Sequence, residues 1–276
     1  MGSLTQRVFV AALAIPLLLL LTFWDFTFPF RFLAFGVILL GLWEFLTLCE
    51  RHGLAPLKTM GMVSLAVALS PWVLRPWVEW DGRGAFLVAL MLLCLSFLGS
   101  ARPLKEMVVS VSVTFFGAAY FAVFMGYVFR LREMPQGARH LLWLYIATWA
   151  YDTGGFFAGS ILGKHPLAPL ASPKKSWEGV AGGVLLSVLA LWLLWQFIPF
   201  YSDFYTVFDV AALALLLSLF GQLGDLVESM IKRSLTAKDS GSFFPGHGGV
   251  FDRVDSLLFN APVLFYYLLV VKHIAN

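Results

Sequence analysis

Apolar runs of about 20 residues follow one another along nearly the whole chain, and that pattern decides what it can fold into. A hydrocarbon core about 30 Å thick takes about 20 helical residues to cross. Inside lipid every backbone N–H and C=O must find its partner within the protein, so such runs become helices. Nine runs qualify, over residues 8–24, 30–49, 60–78, 84–99, 108–129, 139–160, 178–199, 207–231 and 256–273. The third is the weakest, because Pro71 and Pro76 interrupt it. The 276 residues are 60% hydrophobic and 13% charged, against about 45–50% and about 25% for soluble domains. The excess is spread along the chain. This predicts an all-α polytopic membrane protein forming one integral-membrane domain over residues 1–276. Residues 1–137 read as mostly scaffold, and residues 138–276 carry nearly all the unusual side chains.

The opening run, MGSLTQRVFVAALAIPLLLLLTF, has the outline of a signal peptide. Its apolar part is long and no small-residue cleavage site follows, so a retained first span is expected. A net charge of only +3 gives no case for a nucleic-acid partner. Cys49 and Cys94 lie in apolar stretches without metal-ligand spacing and read as buried, inert thiols. With nine spans, the N-terminus and the loops after spans two, four, six and eight share one face. That face holds 12 of the 19 lysines and arginines, which predicts that it is cytoplasmic. The same parity puts the two polar loops of the second half on one side.

Three polar clusters break the apolar pattern. In the first, YDTGGFFAGSILGKHPLAPLASPKKSWEGVAGG (residues 151–183), Asp152 lies inside an apolar helix with Tyr145 and Thr148 on its face. An ionisable group at membrane depth is expensive and points to function. A glycine-rich helix end follows, then Lys164, Lys174 and Lys175. The next helix is expected to begin near Ser176, with Glu178 suiting its N-terminal dipole. Each lysine alone is explained by topology; three among glycines and prolines also suit a polyphosphate.

The second cluster is a stripe on span eight. Ser218, Gln222, Asp225 and Ser229 fall within an arc of about 60° at 100° per residue. Lipid offers no hydrogen bonds, so this face turns inward. Interhelical hydrogen bonding accounts for Ser218 and Gln222. It does not account for Asp225, which needs a cation or a proton.

The third cluster, KRSLTAKDSGSFFPGHGGVFDRVDSLLFNAP (residues 232–262), opens with Lys232, Arg233, Lys238 and Asp239. A glycine turn with His247, Gly248 and Gly249 can present backbone N–H groups to an anion. Asp252 and Asp255 then stand three residues apart and share a face if the last helix has begun. Helix capping accounts for Asp255 but not for Asp252, Arg253 and the glycines together.

Oxygen-donor carboxylates, basic side chains and glycine-rich backbone suit Mg²⁺ held by one or two carboxylates plus substrate phosphates. The chemistry they fit is phosphoryl or nucleotidyl transfer at a membrane surface. At this point the residues also resemble a known family. The run SMIKRSLTAKDSGSFFPGHGGVFDRVD (residues 229–255) resembles the signature of phosphatidate cytidylyltransferases, and DTGGFFAG…GK…SPKKSWEG (residues 152–179) resembles that family's upstream motif. Gly155 stands where relatives often have alanine.

The resemblance implies the conversion of CTP and phosphatidate to CDP-diacylglycerol and pyrophosphate, dependent on Mg²⁺, in the cytoplasmic membrane with the site facing the cytoplasm. It makes a homodimer an expected partner arrangement. Asp225, inside the membrane, and Asp252, after the glycine turn, are the expected metal ligands. Asp255 is either a third ligand or the group that orients Arg253. Asp152 and Glu178 bind a second cation or orient the site. Lys174, Lys175, Lys232, Arg233, Lys238 and Arg253, with His247 and the Gly248–Gly249 turn, are the candidates for phosphates of CTP or lipid. Asp225, Asp252 and Asp255 together form the catalytic set.

Two rivals predict different products. A CTP-dependent kinase of a lipid alcohol would release CDP and needs a base for a neutral hydroxyl. A transporter using Asp152 and Asp225 as an ion relay would consume no nucleotide and would not need the glycine turn or its basic flanks.

Overall fold

The computed structural model describes residues 4–75, 82–99, 102–241 and 248–274, with side chains from Ala12 onward. Among these residues the secondary structure is helical apart from one small hairpin. The helices are α1 (Leu4–Phe23), α2 (Phe28–Arg51), α3 (Lys58–Val73), α4 (Gly82–Ser96), α5 (Met107–Glu133), α6 (Gly137–Leu162), α7 (Trp177–Phe197), α8 (Pro199–Phe204), α9 (Val207–Ser234) and α10 (Phe251–Val270). Each apolar run of the sequence holds a helix. The short α8 and the hairpin were not foreseen. Among the described residues, five helices are long and apolar enough to cross a membrane: α2, α5 with its leading 3₁₀ turn, α7, α9 and α10. Residues 12–23 and α4 are shorter apolar helices. The protein is therefore an all-α, multi-pass membrane protein. α6 is 26 residues long, but Asp152, Arg139 and its glycines and aromatics lower its hydropathy.

The chain divides into two compact units, residues 1–130 with 234–254 and residues 131–233 with 255–276. In the first unit, Gly41 and Gly117 let aromatic rings close in. A Cβ at either would stand 2.6 Å from the ring of Phe121 or Phe45. These rings and Tyr120 surround Phe251, which is fully buried, with centroids 5.2–6.2 Å away. Arg102 satisfies the carbonyls of Ala55 and Pro56 in the turn between α2 and α3, and Thr114 accepts the N–H of Leu57 at 2.8 Å. These contacts supply partners that lipid does not.

In the second unit α6 and α7 pack through glycine. A Cβ on Gly154 would stand 2.5 Å from the Gly182 carbonyl, and one on Gly183 would stand 2.7 Å from the Tyr151 ring. Small residues of this kind let membrane helices approach until their backbones touch. The link between them is the hairpin, β1 (Pro166–Ala168) antiparallel to β2 (Ser172–Ser176), with Pro166 opposite Ser176 and Ala168 opposite Ser172. At the other end of the unit, Trp143 stacks on Tyr205 (centroids 4.5 Å). Thr206 and Asp209 cap α9 reciprocally, N–H to side-chain oxygen, at 2.7 and 3.2 Å. Asp209 also accepts from Tyr267 at 2.5 Å and pairs with Lys272 at 2.9 Å.

Candidate metal and nucleotide site

The polar stripe of α9 faces inward, as its spacing demands. Ser218, Gln222 and Ser229 are buried, while Leu223, on the other side, is 40% exposed. Leu217, outside the stripe's arc, is buried too, because α9 packs over more than that arc. Neighbouring helices supply the partners. Tyr151 on α6 donates its hydroxyl to Gln222 Oε1 at 2.9 Å. Asn260 on α10 donates to Thr148 Oγ at 3.0 Å, and Thr148 donates in turn to the Leu144 carbonyl. Gln222 is thus interhelical glue. Asp225 is not: Lys175 of β2 forms an ion pair with it, and Ser229 approaches its other oxygen at 3.5 Å.

The hairpin brings Lys175 there. Ser176 caps α7 by accepting the N–H of Gly179 at 3.1 Å, fixing where the strand ends and the helix begins. Glu178, in the first turn of α7, turns back onto the loop. Its Oε2 accepts the N–H groups of Lys164 (3.1 Å) and His165 (3.3 Å), and its Oε1 lies 2.6 Å from His165 Nδ1. Both oxygens of Glu178 are engaged in holding the hairpin.

A cavity of about 430 Å³ opens beside this pair, walled by Tyr151, Asp152, Gly155, Gly159, Ser172, Lys174, Lys175, Gly179, Gln222 and Asp225 among others. Its volume lies within the range of about 300–1,000 Å³ usual for small-ligand sites. Two lysines and two aspartates share it, and the glycines leave its wall without side chains.

Asp225 belongs to a group of three acids. Asp225 and Glu228 on α9 and Asp255 on α10 each place one carboxylate oxygen within 4.8 Å of the other two. Lys175 pairs with Asp225, and Lys232 pairs with Glu228 at 2.7 Å, one helical turn on. Asp255 Oδ1 accepts the N–H of Ser256 at 2.6 Å, and its electrostatic neighbours are Asp225, Asp152 and Lys175. Three carboxylates at this separation repel unless cations or protons sit among them. All-oxygen donors suit a hard divalent ion, so the residues fit Mg²⁺.

The other predicted residues are distributed as follows. Arg233 donates Nε to the Ala171 carbonyl at 3.3 Å, tying the end of α9 to the hairpin turn. Lys174 is exposed at the cavity wall, and Lys238 and Arg253 are exposed. His247 lies outside the described residues. α10 begins at Phe251, five residues earlier than its apolar run, so Asp252 and Asp255 are both helical. Asp252 belongs to the first unit, where its Oδ2 accepts from Ser240 N (3.1 Å), Ser240 Oγ (2.8 Å) and Gly249 N (2.8 Å). The Gly249 N–H, expected to face an anionic substrate, is donated to Asp252 instead. Gly248 has φ +80°, the left-handed conformation that glycine supplies in such a turn.

Sequence reasoning missed Glu228. It sits three residues after Asp225, about 60° beyond the edge of the polar stripe, and its position four residues before Lys232 disguises it as an ordinary surface pair. Tyr151 and Glu44 were missed as well.

The carboxylate cluster offers oxygen donors for a hard cation, and the cavity beside it offers two lysines for an anion. Residues 5–271 match the cytidylyltransferase family, and the chain belongs to that family. It is 34% identical over 202 residues to the phosphatidate cytidylyltransferase of Staphylococcus aureus (strain COL), covering 73% of this chain and 75% of the relative. The phosphatidate cytidylyltransferase of Staphylococcus epidermidis (strain ATCC 12228 / FDA PCI 1200) is 40% identical over 140 residues, 51% of this chain and 53% of its own. That of Staphylococcus saprophyticus is 38% identical over the same length.

Proposed function

We propose that this protein is a CTP:phosphatidate cytidylyltransferase, making CDP-diacylglycerol for phospholipid synthesis. The observation that carries the reading is the pairing of the Asp225–Glu228–Asp255 cluster with the cavity walled by Lys174 and Lys175; family membership supplies the reaction class. A phosphate oxygen of phosphatidate attacks the α-phosphorus of CTP. The bond to the bridging oxygen breaks, and pyrophosphate leaves with its electron pair. The nucleophile needs no general base, because a phosphate monoester with a second pKa of about 6 is already anionic near neutral pH.

The chain's part is positioning and charge compensation. Lys174 and Lys175 hold the polyphosphate as point charges. Glu178 and Ser176 keep the hairpin that carries them in register with α7. Asp225, Glu228 and Asp255 are the residues that would hold Mg²⁺, which when bound neutralises charge on the triphosphate and its leaving group. Lys175 bridges the two parts, since it touches Asp225 and lines the cavity. Asp152, on the same wall, would serve a second cation. The reading includes nine membrane crossings, a site facing the cytoplasm and a homodimer, on the strength of the lysine and arginine distribution and the family resemblance.

Product analysis of the purified protein in detergent tests this. With CTP, Mg²⁺ and phosphatidate, pyrophosphate and a CDP-lipid appear in equal amounts, and both are lost with EDTA. Release of CDP dependent on a lipid alcohol would make it a kinase. No nucleotide consumption with any lipid would leave ion transport as the reading.

A further inference from the structure

The sequence reading treated α2 as scaffold, yet a carboxylate lies buried in it. Glu44 is 8% exposed in a 24-residue apolar helix, a costly position for an acid. Its surroundings show what it holds. Oε2 accepts the backbone N–H of Phe251 at 3.0 Å and lies 3.4 Å from Ser240 Oγ. Phe251 is the first residue of α10, so its N–H has no partner within the helix. Glu44 caps α10 from another helix, with the charge sign that a helix N-terminus favours.

The glycines nearby fit the same carboxylate. A Cβ on Gly241 would stand 2.5 Å from Glu44 Oε1, and a Cβ on Gly249 would collide with Glu44 Oε2 and Ser240 Oγ. Ser240 Oγ also donates to Asp252 Oδ2 at 2.8 Å, the oxygen that accepts the N–H of Ser240 and of Gly249. Two carboxylates therefore tie Ser240 to Gly249 and Phe251. An apolar residue at position 44 would leave the Phe251 N–H buried without an acceptor, although packing alone would favour one there. Ser240, Gly249 and Phe251 lie within the signature run, between Lys238 and Arg253.

We propose that Glu44 is a positioning residue for the cytidylyl transfer: from α2 it caps α10 and holds Ser240, and so fixes Asp252 in the first turn of that helix. This rests on the activity proposed above. The test compares wild type, Glu44→Ala, Glu44→Gln and Ser240→Ala as full-length protein in detergent. Backbone hydrogen exchange at Ser240, Gly249 and Phe251 is followed by mass spectrometry, alongside kcat and the KM values for both substrates.

In Glu44→Ala, exchange at these amides rises at least about tenfold, and kcat/KM for CTP falls about a hundredfold, the usual scale for displaced reacting groups. The KM for phosphatidate stays within about twofold. Glu44→Gln keeps an acceptor for Phe251 and recovers most of both losses. Ser240→Ala, which leaves α2 untouched, gives a smaller rise in exchange and covers the case in which Glu44→Ala does not fold. Unchanged exchange in Glu44→Ala and Ser240→Ala overturns the proposal, as does raised exchange with an unchanged kcat/KM for CTP. A wild type that makes no CDP-lipid overturns the activity instead, and the exchange result still tells whether Glu44 holds the segment.

Discussion

Asp252 and Asp255 stand three residues apart at the start of α10 and meet different surroundings. Asp252 is encircled by donors: two backbone N–H groups and a hydroxyl converge on one of its oxygens. Asp255 is encircled by charge, with Asp225, Glu228 and Asp152 as neighbours and Lys175 to compensate. A carboxylate that collects N–H groups fixes backbone. A carboxylate crowded by its own kind needs a cation or a proton. In sequence the capping account suits Asp255 and not Asp252; the hydrogen bonds put the donors on Asp252 instead.

The largest effect expected is at the crowded end. Asp255→Asn and Asp225→Asn each lower kcat by about a thousandfold, the upper scale for one electrostatic group in an active site, with hydrogen exchange of the signature segment unchanged. A loosened segment in Asp255→Asn would erase the distinction from Asp252. Next comes Asp252→Ala, with a loss of about a hundredfold accompanied by faster exchange at Ser240 and Gly249. Activity lost without any change in exchange would mean that Asp252 acts by its charge and not by holding the loop.

A smaller effect separates two adjacent glycines. Gly154→Ala drives a methyl group into the Gly182 carbonyl and costs about 1–3 kcal/mol of stability, read as a lower Tm. Gly155→Ala meets the nearest atom, the Gly179 carbonyl, at an ordinary 3.6 Å and changes Tm little. Equal losses at both would show that α6 and α7 are packed differently. The smallest effect is at Lys174, where alanine raises the KM for CTP about fivefold, as the loss of about 1 kcal/mol of ion pairing predicts. An unchanged KM would return Lys174 to the topological role that its position alone allows.

The helical architecture could be read from the sequence because lipid leaves the backbone no alternative, and the stripe Ser218–Gln222–Asp225–Ser229 because a single helix carries it at fixed angles. The hairpin was hidden. Its strands are three and five residues long, too short to show alternation, and it exists because Glu178 and Ser176 anchor the loop from the far side. Glu44 was hidden for a different reason. Its partners, Ser240 and Phe251, are about 200 residues away, and one acid in an apolar run carries no periodicity. Glu228 was within reach as a neighbour of Asp225, but its spacing to Lys232 supplied a simpler explanation.

The most direct test of the carboxylate cluster is a Mn²⁺ titration of the detergent-purified protein followed by electron paramagnetic resonance, comparing wild type with Asp225→Asn and Asp255→Asn. Stoichiometric Mn²⁺ binding in the wild type, displaced by Mg²⁺ and lost in both variants, is the predicted result. Mn²⁺ bound equally well by all three proteins would contradict it and place the metal elsewhere.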